Sequence, residues 1–329
     1  MTSYLPLSLL MGVILGVSAH RAGLCAVKGV AEVMTSGSGW ILWSFLKASF
    51  WVFGLAAIAG TLTDGIAMRH WPMSLTGVLG GLIFGLGAGA NGACSFSTLV
   101  RLGDGHVVML FTLAGWPLGM AGVHLLWPDL HSAPTLAEGA PVWFLVAIGP
   151  WMLWQGLHIL RRLHAEGWGQ LRAAQWPLSL SVTLLAMANF GLLSLGSTWS
   201  FTSTVLCTVG AAPLSGCANG TVLWLVSGAA IFGMVGSAAL RGSFRLRRIR
   251  AAAALRHAMA GIAMGAGAAL IPGGNDGLIL FALPALSPHA LPSWAAIIIG
   301  VALALTLMRA TGRPIPAICC EGDICRASL

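Results

Sequence analysis

From Ala173 to Leu240 the chain carries no Asp, Glu, Lys or Arg. A helix of about 20 apolar residues crosses a bilayer, and this run is more than three times that length. The rest of the chain repeats the pattern. Of its 329 residues 57% are hydrophobic and only 8% are charged, where a soluble domain carries about 25% charged residues. Mean hydropathy is +0.87. These features predict an all-α polytopic membrane protein whose environment is the lipid bilayer.

Apolar runs long enough to span fall near 5–24, 40–60, 73–90, 106–127, 141–161, 177–196, 220–240, 251–271 and 292–310, which makes nine. Between them lie shorter glycine-broken pieces near 25–36, 94–102, 203–212 and 275–287, too short to cross. The N-terminus has no positive region before its apolar part, so it reads as the first membrane helix rather than a cleaved signal. The seven cysteines show no paired spacing within the membrane runs, and no disulfide framework is expected.

The formal net charge of +8 could suit nucleic acid, but its placement excludes that class. Six arginines lie from Arg241 to Arg256 and three from Arg161 to Arg172, in short loops between apolar runs. That is the positive-inside pattern of cytoplasmic loops. The segment 128–140 carries Asp129 and Glu138 without Lys or Arg, which predicts an external loop. Together these place the N-terminus outside and the C-terminus in the cytoplasm of a cytoplasmic (inner) membrane.

Internal repeats organise the runs. Gly12-x3-Gly16 leads to Cys25, and 69 positions later Gly81-x3-Gly85 leads to Cys94. Adding 180 to the second unit gives Gly261, Gly265 and Gly267, and adding 180 to Gly16 gives Gly196. Four units therefore start near 12, 81, 192 and 261, each read as long helix, short broken helix, long helix. The expected organisation is a first half over 1–130, a linker with one span over 131–175, an inverted second half over 176–312, and a Cys-containing tail over 313–329. Inverted repeats with discontinuous helices at mid-membrane are a transporter plan.

Backbone that leaves helical geometry at membrane depth must be buried in protein or line a wet cavity. The broken pieces are therefore the candidate walls of a path, with half-helix N–H groups that suit an anion. Cys25 and Cys94 occupy the same place in two units. A neutral thiol is a weak, polarizable donor suited to a soft sulfur anion, while the bland reading of a membrane cysteine is small apolar filler.

The unit around Cys94, Gly-x-Gly-Ala-x-x-x-Gly-Ala-Cys-Ser-Phe followed by Arg101-Leu-Gly-x-Gly105, resembles the YeeE/YedE family of sulfur-compound transporters, and so does His20-Arg-Ala-Gly-Leu-Cys25. The resemblance implies nine spanning and four short helices, an hourglass shape, and uptake of thiosulfate past three pore-lining cysteines. Cys25 and Cys94 match two of those. The third position reads Pro272-Gly-Gly274-Asn275-Asp276-Gly277, with Gly274 in place of the cysteine and a carboxylate two residues on.

The expected path residues are thus Cys25, Cys94, Asn91, Ser95, Gly274, Asn275, Asp276 and Arg101. Asp276 reads either as a proton or ion path residue or as a helix cap. Lys47, inside an apolar helix, either attracts anions or pairs locally, and Lys28 and Glu32 have ion-pair spacing. Repeat arithmetic sets Val205 opposite Cys25, leaving Cys207 and Cys217 as packing. The tail thiols Cys319, Cys320 and Cys325 read as an unstructured segment, as a sulfur-accepting relay, or as a weak metal site lacking a fourth ligand. The functional expectation is a transporter for thiosulfate that needs no cofactor and is not an enzyme, with a cytoplasmic sulfur-carrier or sulfurtransferase protein as candidate partner. The alternatives are sulfite, sulfide or a selenium compound as cargo, or a membrane sulfurtransferase using its cysteines covalently.

Overall fold

A computed structural model describes residues 4–62, 68–128, 130, 135–137, 143–167, 169–196, 198–210, 217 and 220–328. The helices are α1 (Leu5–Ala22), α2 (Ala26–Ser36), α3 (Trp40–Leu62), α4 (Leu75–Asn91), α5 (Ser95–Gly103), α6 (Met109–Leu126), α7 (Phe144–Glu166), α8 (Gly169–Arg172), α9 (Leu178–Ser194), α10 (Phe201–Val209), α11 (Gly220–Arg241), α12 (Ala251–Leu270), α13 (Gly274–Gly277) and α14 (Ala290–Ala310). A π-helical turn, Leu278–Ala282, continues α13. All nine long segments read from the sequence are helical. Among the described residues, seven helical runs are long and apolar enough to cross a membrane, with α1–α2, α4–α5 and α12–α13 each counted as one run. Of the remaining two long helices, α9 has 17 residues, and Gln155, His158, Arg161 and Arg162 dilute the hydropathy of α7. Asp129 and Glu138, which marked the expected outer loop, lie outside the described residues.

The Gly-x3-Gly spacings that revealed the repeats are helix-contact points. A Cβ on Gly16 of α1 would lie 2.0 Å from the Ala230 carbonyl oxygen of α11. One on Gly85 of α4 would lie 2.2 Å from the Ile297 oxygen of α14, and one on Gly265 of α12 would lie 2.1 Å from the Trp116 oxygen of α6. Lipid gives helices no hydrophobic reason to associate, so close backbone approach through small residues supplies the packing. The first helix of a unit thus packs on the last helix of another: α1 on α11, α4 on α14, α12 on α6, and α9 on α3. Large apolar side chains such as Leu125, Val146, Phe232 and Leu307 stay exposed on the outside of the bundle, where lipid would cover them.

The ends of the bundle differ. On one face Asp104 accepts from Ser243 Oγ (2.6 Å), Trp176 N donates to Arg21 O (3.3 Å), and Leu178 N donates to Asp323 O (2.7 Å). This face carries Arg21, Lys28, Arg101, Arg162 and Arg241 to Arg250. On the opposite face β1 (Met68–His70) pairs antiparallel with β2 (Thr135–Ala137), and Trp71 N donates to Ser287 Oγ at 2.9 Å.

The tail is the clearest departure from expectation. It is ordered, as an antiparallel hairpin of β3 (Ala317–Glu321) and β4 (Ile324–Ser328). Cys320 and Cys325 are cross-strand partners with Cα atoms 4.0 Å apart and form a disulfide, while Cys319 is exposed and free. Two of the three expected tail thiols are therefore not thiols, because hairpin pairing brings their sulfurs together. Ile318 and Cys325 point into the core. The Asp323 carboxylate accepts from Ser179 N (3.0 and 3.1 Å) and Ser179 Oγ (3.0 Å) at the start of α9, and lies 3.9 Å from Lys47 Nζ. Lys47 thereby ties the hairpin down. Cys207 and Cys217 also form a disulfide, with Cα atoms 5.4 Å apart, so the expectation of no such bonds is corrected at both pairs.

Candidate functional site

Two broken helices build the thiol pair in the same way. α1 stops at Gly23 and α4 at Gly92, both left-handed with φ of 61° and 71°. Glycine adopts this conformation without the steric cost an L side chain meets, which makes it a natural helix stop. Two residues on, Cys25 and Cys94 are extended and start α2 and α5. The broken ends of both units converge on one hydroxyl. Ser97 Oγ lies 2.9 Å from Cys25 Sγ and 3.6 Å from Cys94 Sγ, and Ala26 N donates to Cys94 Sγ at 3.4 Å. Both cysteines are fully buried.

The second cluster joins α10 and α13. Asp276 accepts from Thr202 N at 3.0 Å and is hydrogen-bonded to the Thr202 hydroxyl. That hydroxyl also lies 2.6 Å from the Gly273 oxygen. The carboxylate thus bonds the first turn of α10 from α13, tying broken helices of two different units together. Gly274 has φ +62°, and a Cβ there would lie 3.1 Å from both Thr202 Cγ2 and Oγ1 and 3.2 Å from Ala268 Cβ.

Of the other expected path residues, Ser95 and Asn275 are fully buried, and neither the Ser95 hydroxyl nor either amide atom of Asn275 has a hydrogen-bond partner among the described residues. α13 packs on α5, the helix that Ser95 begins. Asn91, by contrast, is committed. Its Nδ2 donates to Ala93 O and Thr98 Oγ1, both at 2.9 Å, and its Oδ1 accepts from Thr112 Oγ1 and His257 Nδ1, both at 2.7 Å. Arg101 folds over the Gly92 turn, where a Cβ would lie 3.5 Å from a guanidinium nitrogen.

Glu32 does not pair with Lys28. Its carboxylate accepts from Trp40 N (2.9 Å), Ile41 N (2.9 Å) and Ser38 Oγ (2.8 Å), capping the start of α3. The free N–H groups and positive dipole end of a helix outcompete a single flexible amine here. Glu32, Cys320 and Cys325 offer ligand atoms within 4.8 Å of one another, but both sulfurs are bonded to each other and both Glu32 oxygens are taken.

Sequence reasoning missed Ser97, Thr202 and Arg69. In the third unit the residue opening the short helix is Ser200, extended and accepting from Ser203 N, not Val205 as the repeat arithmetic gave. A cavity of about 130 Å³ on the face of β1 is lined by Arg69, Thr198, Ser203, Gly273 and Gly277. Burial lowers the pKa of the Arg69 guanidinium from its ordinary value. No carboxylate pairs with it among the described residues.

The model of the family described as "Sulphur transport" matches residues 21–303. The chain is also similar to the thiosulfate transporter TsuA of Spirochaeta thermophila, with 23% identity over 321 residues covering 88% of this chain and 93% of the relative.

Proposed function

The chain belongs to the sulphur transport family, and from that premise we propose that this multi-pass membrane protein carries thiosulfate inward past Cys25 and Cys94. It is a transporter of sulfur compounds and not an enzyme, which sets aside the covalent sulfurtransferase reading. The observation that carries the finer proposal is the central polar set. Two thiols share one hydroxyl beside a broken-helix contact where Ser95 and Asn275 keep buried polar atoms without protein partners. Buried polar groups in proteins are nearly always hydrogen-bonded, so these atoms suit a ligand that completes them in passing.

The ion would approach from the β1 face, where Arg69 offers a charge, and pass Asn275 and Ser95 to the thiols. Neutral S–H and O–H donors hold a soft anion without adding a repelling charge. Weak, sequential donors also let the ion leave, which conduction requires. Asp276 is neutral in this proposal. Thr202 has one hydroxyl proton and two close oxygen neighbours, Asp276 and Gly273, so a second proton supplied by Asp276 completes the set. Asn91 positions α4 and α5 rather than touching the ion, and Arg101 stands at the exit.

The same proposal takes 1–130 and 176–312 as inverted halves joined by 131–175, supported by helix packing that pairs first with last helices between units. The basic face is cytoplasmic, with the N-terminus outside an inner membrane, and a sulfur-carrier or sulfurtransferase protein receives the ion there. A second reading keeps the transporter but changes the cargo to sulfite, sulfide or a selenium compound. It is favoured by Gly274 and Asp276 standing where the family resemblance implies a third thiol.

In a sulfur-auxotrophic host fed limiting thiosulfate, the wild-type chain supports growth and Cys94→Ala does not. Growth undiminished by Cys94→Ala refutes the thiol role. Labelled-thiosulfate uptake challenged with excess sulfite, sulfide or selenite separates the two cargo readings.

A further inference from the structure

The cations beside the thiols are unspent. Lys28 lies one turn into α2, and a Cβ on Gly23 would sit 3.4 Å from its Nζ. Arg101 covers Gly92, the equivalent turn of the second unit. Each glycine is two residues from its cysteine, so two repeat-related turns each carry a cation on the basic side of the thiol pair. Lys28 is within electrostatic reach of Cys25, Arg101, Arg241 and Asp104. None of the Lys28, Arg101 and Arg241 side chains has a hydrogen-bond or salt-bridge partner among the described residues. The one carboxylate nearby, Asp104, is already held by His20 Nε2 at 3.1 Å and Ser243 Oγ at 2.6 Å. Three unpaired cations against one engaged acid leave a local surplus of positive charge, which suits an anion.

Positive-inside topology accounts for arginines in loops such as 245–250. It does not account for Lys28 and Arg101, which sit on the short broken helices and fold back over the turns that present the thiols. Arg241 also lines a cleft of about 540 Å³ on this face, with Gln175, Ile324 and Arg326.

We propose that Lys28, Arg101 and Arg241 form a second anion site, on the basic face, that takes a sulfur oxyanion from the Cys25–Cys94 pair and holds it before release. The proposal rests on the transport reading above and adds the element it lacks. Neutral donors can pass an ion along but hold it weakly, whereas a charged basin beside them raises the local concentration of a dianion on the basic side of the thiols.

The test is acylation of Lys28 in membranes whose basic face is open to reagent, read by peptide mass. Focused charge in a cleft raises local counter-ion concentration roughly tenfold or more. Thiosulfate should therefore slow Lys28 acylation several-fold more than chloride at equal ionic strength, and Arg101→Gln should abolish the difference. Equal protection by both salts, or protection unchanged in Arg101→Gln, overturns the site. A second arm compares vesicles of opposite orientation. Lys28→Gln and Arg241→Gln should raise the KM for thiosulfate from the basic face about tenfold while moving the opposite KM far less, and Lys28→Arg should restore it. Parallel changes in both KM values overturn the site. Protection without any thiosulfate transport by the wild type would leave this site standing and refute the transport reading instead.

Discussion

Gly274→Ala places one methyl group on the left-handed turn that the family resemblance would fill with a cysteine, and its cost follows from two local terms. An L residue in the left-handed region costs roughly 1–2 kcal/mol, and the φ of +62° at Gly274 lies there. The new Cβ would also meet Thr202 Cγ2 and Oγ1 at 3.1 Å and Ala268 Cβ at 3.2 Å. Overpacking of a tight interior costs about 1–3 kcal/mol more. The expected loss is therefore about 2–5 kcal/mol. Gly277 is the internal control, three residues away. Its φ is −63°, a Cβ there would meet only Ser200 and Ser203 Oγ at an ordinary 3.7 Å, and Gly→Ala in helical geometry gains about 0.5–1 kcal/mol. Thermal melting in detergent should place Gly274→Ala well below wild type and Gly277→Ala at or above it. Thr202→Ser, which deletes Cγ2 but keeps the hydroxyl, should recover part of the loss when combined with Gly274→Ala. Equal melting temperatures for the two glycine variants would refute the claim that the left-handed turn, and not chance drift, excludes a thiol at this waist.

The two buried asparagines should separate stability from transport. Asn91→Leu strands Thr112, Thr98 and His257 and should cost at least about 2 kcal/mol, whereas Asn275→Leu breaks no protein hydrogen bond and should melt near wild type while thiosulfate uptake falls. The reverse ranking would exchange their roles. Thiol counting checks the covalent pattern. Folded protein should react with a membrane-impermeant maleimide at Cys319 alone, from the basic face, and unreduced denatured protein at Cys25, Cys94 and Cys319. Labelling of Cys320 or Cys325 without reductant would contradict the hairpin bond. Asp104 supplies a pH dependence. Burial alone would raise its carboxyl, but hydrogen bonds from His20 and Ser243 and the charge of Arg241 hold it below its ordinary value. Its contribution is complete above about pH 4 and lost as the pH falls below that. Between pH 5 and pH 3 the wild type should therefore lose more melting temperature than Asp104→Asn, and parallel curves would show that these bonds contribute nothing.

The spans were legible because the membrane imposes one rule on every segment, and charge-free runs follow it whatever their partners. The Gly-x3-Gly spacing was legible too, since contact between helix backbones demands small residues at a fixed period. Cys25 and Cys94 stood out because each follows a helix-stopping glycine by two residues. Contacts decided between residues far apart in the chain left no such mark. Thr202 meets Asp276 across 74 positions, and a threonine among many hydroxyls carries no signal. Glu32 has ideal spacing for Lys28, yet the start of α3, eight residues on, binds it instead. The tail was readable in principle. Gly322 and Asp323 form a two-residue hairpin loop between Glu321 and Ile324, and Cys-x4-Cys around such a loop makes the two cysteines face each other.

The proposed path needs no third thiol, given the order of groups along it. Nearer β1 the left-handed Gly274 turn disfavours any side chain, and Asp276 there bonds the start of α10 through Thr202. A carboxylate bonded to both the N–H and the hydroxyl of Thr202 is held in place, so its effect on a passing anion depends on its proton alone. With that proton present the waist offers hydroxyl and amide groups, and the ion meets full charges only at the ends, Arg69 on one face and Lys28 with Arg101 on the other. Strong sites at both mouths and weak donors between them suit passage, because a fixed charge in the dry middle would either trap a dianion or exclude it. Asp276→Asn should therefore retain uptake while losing any pH dependence that the carboxyl confers, and Asp276→Lys should halt uptake by trapping the ion. Uptake abolished by the isosteric Asp276→Asn would mean that the charge itself, and not the cap, is what transport uses.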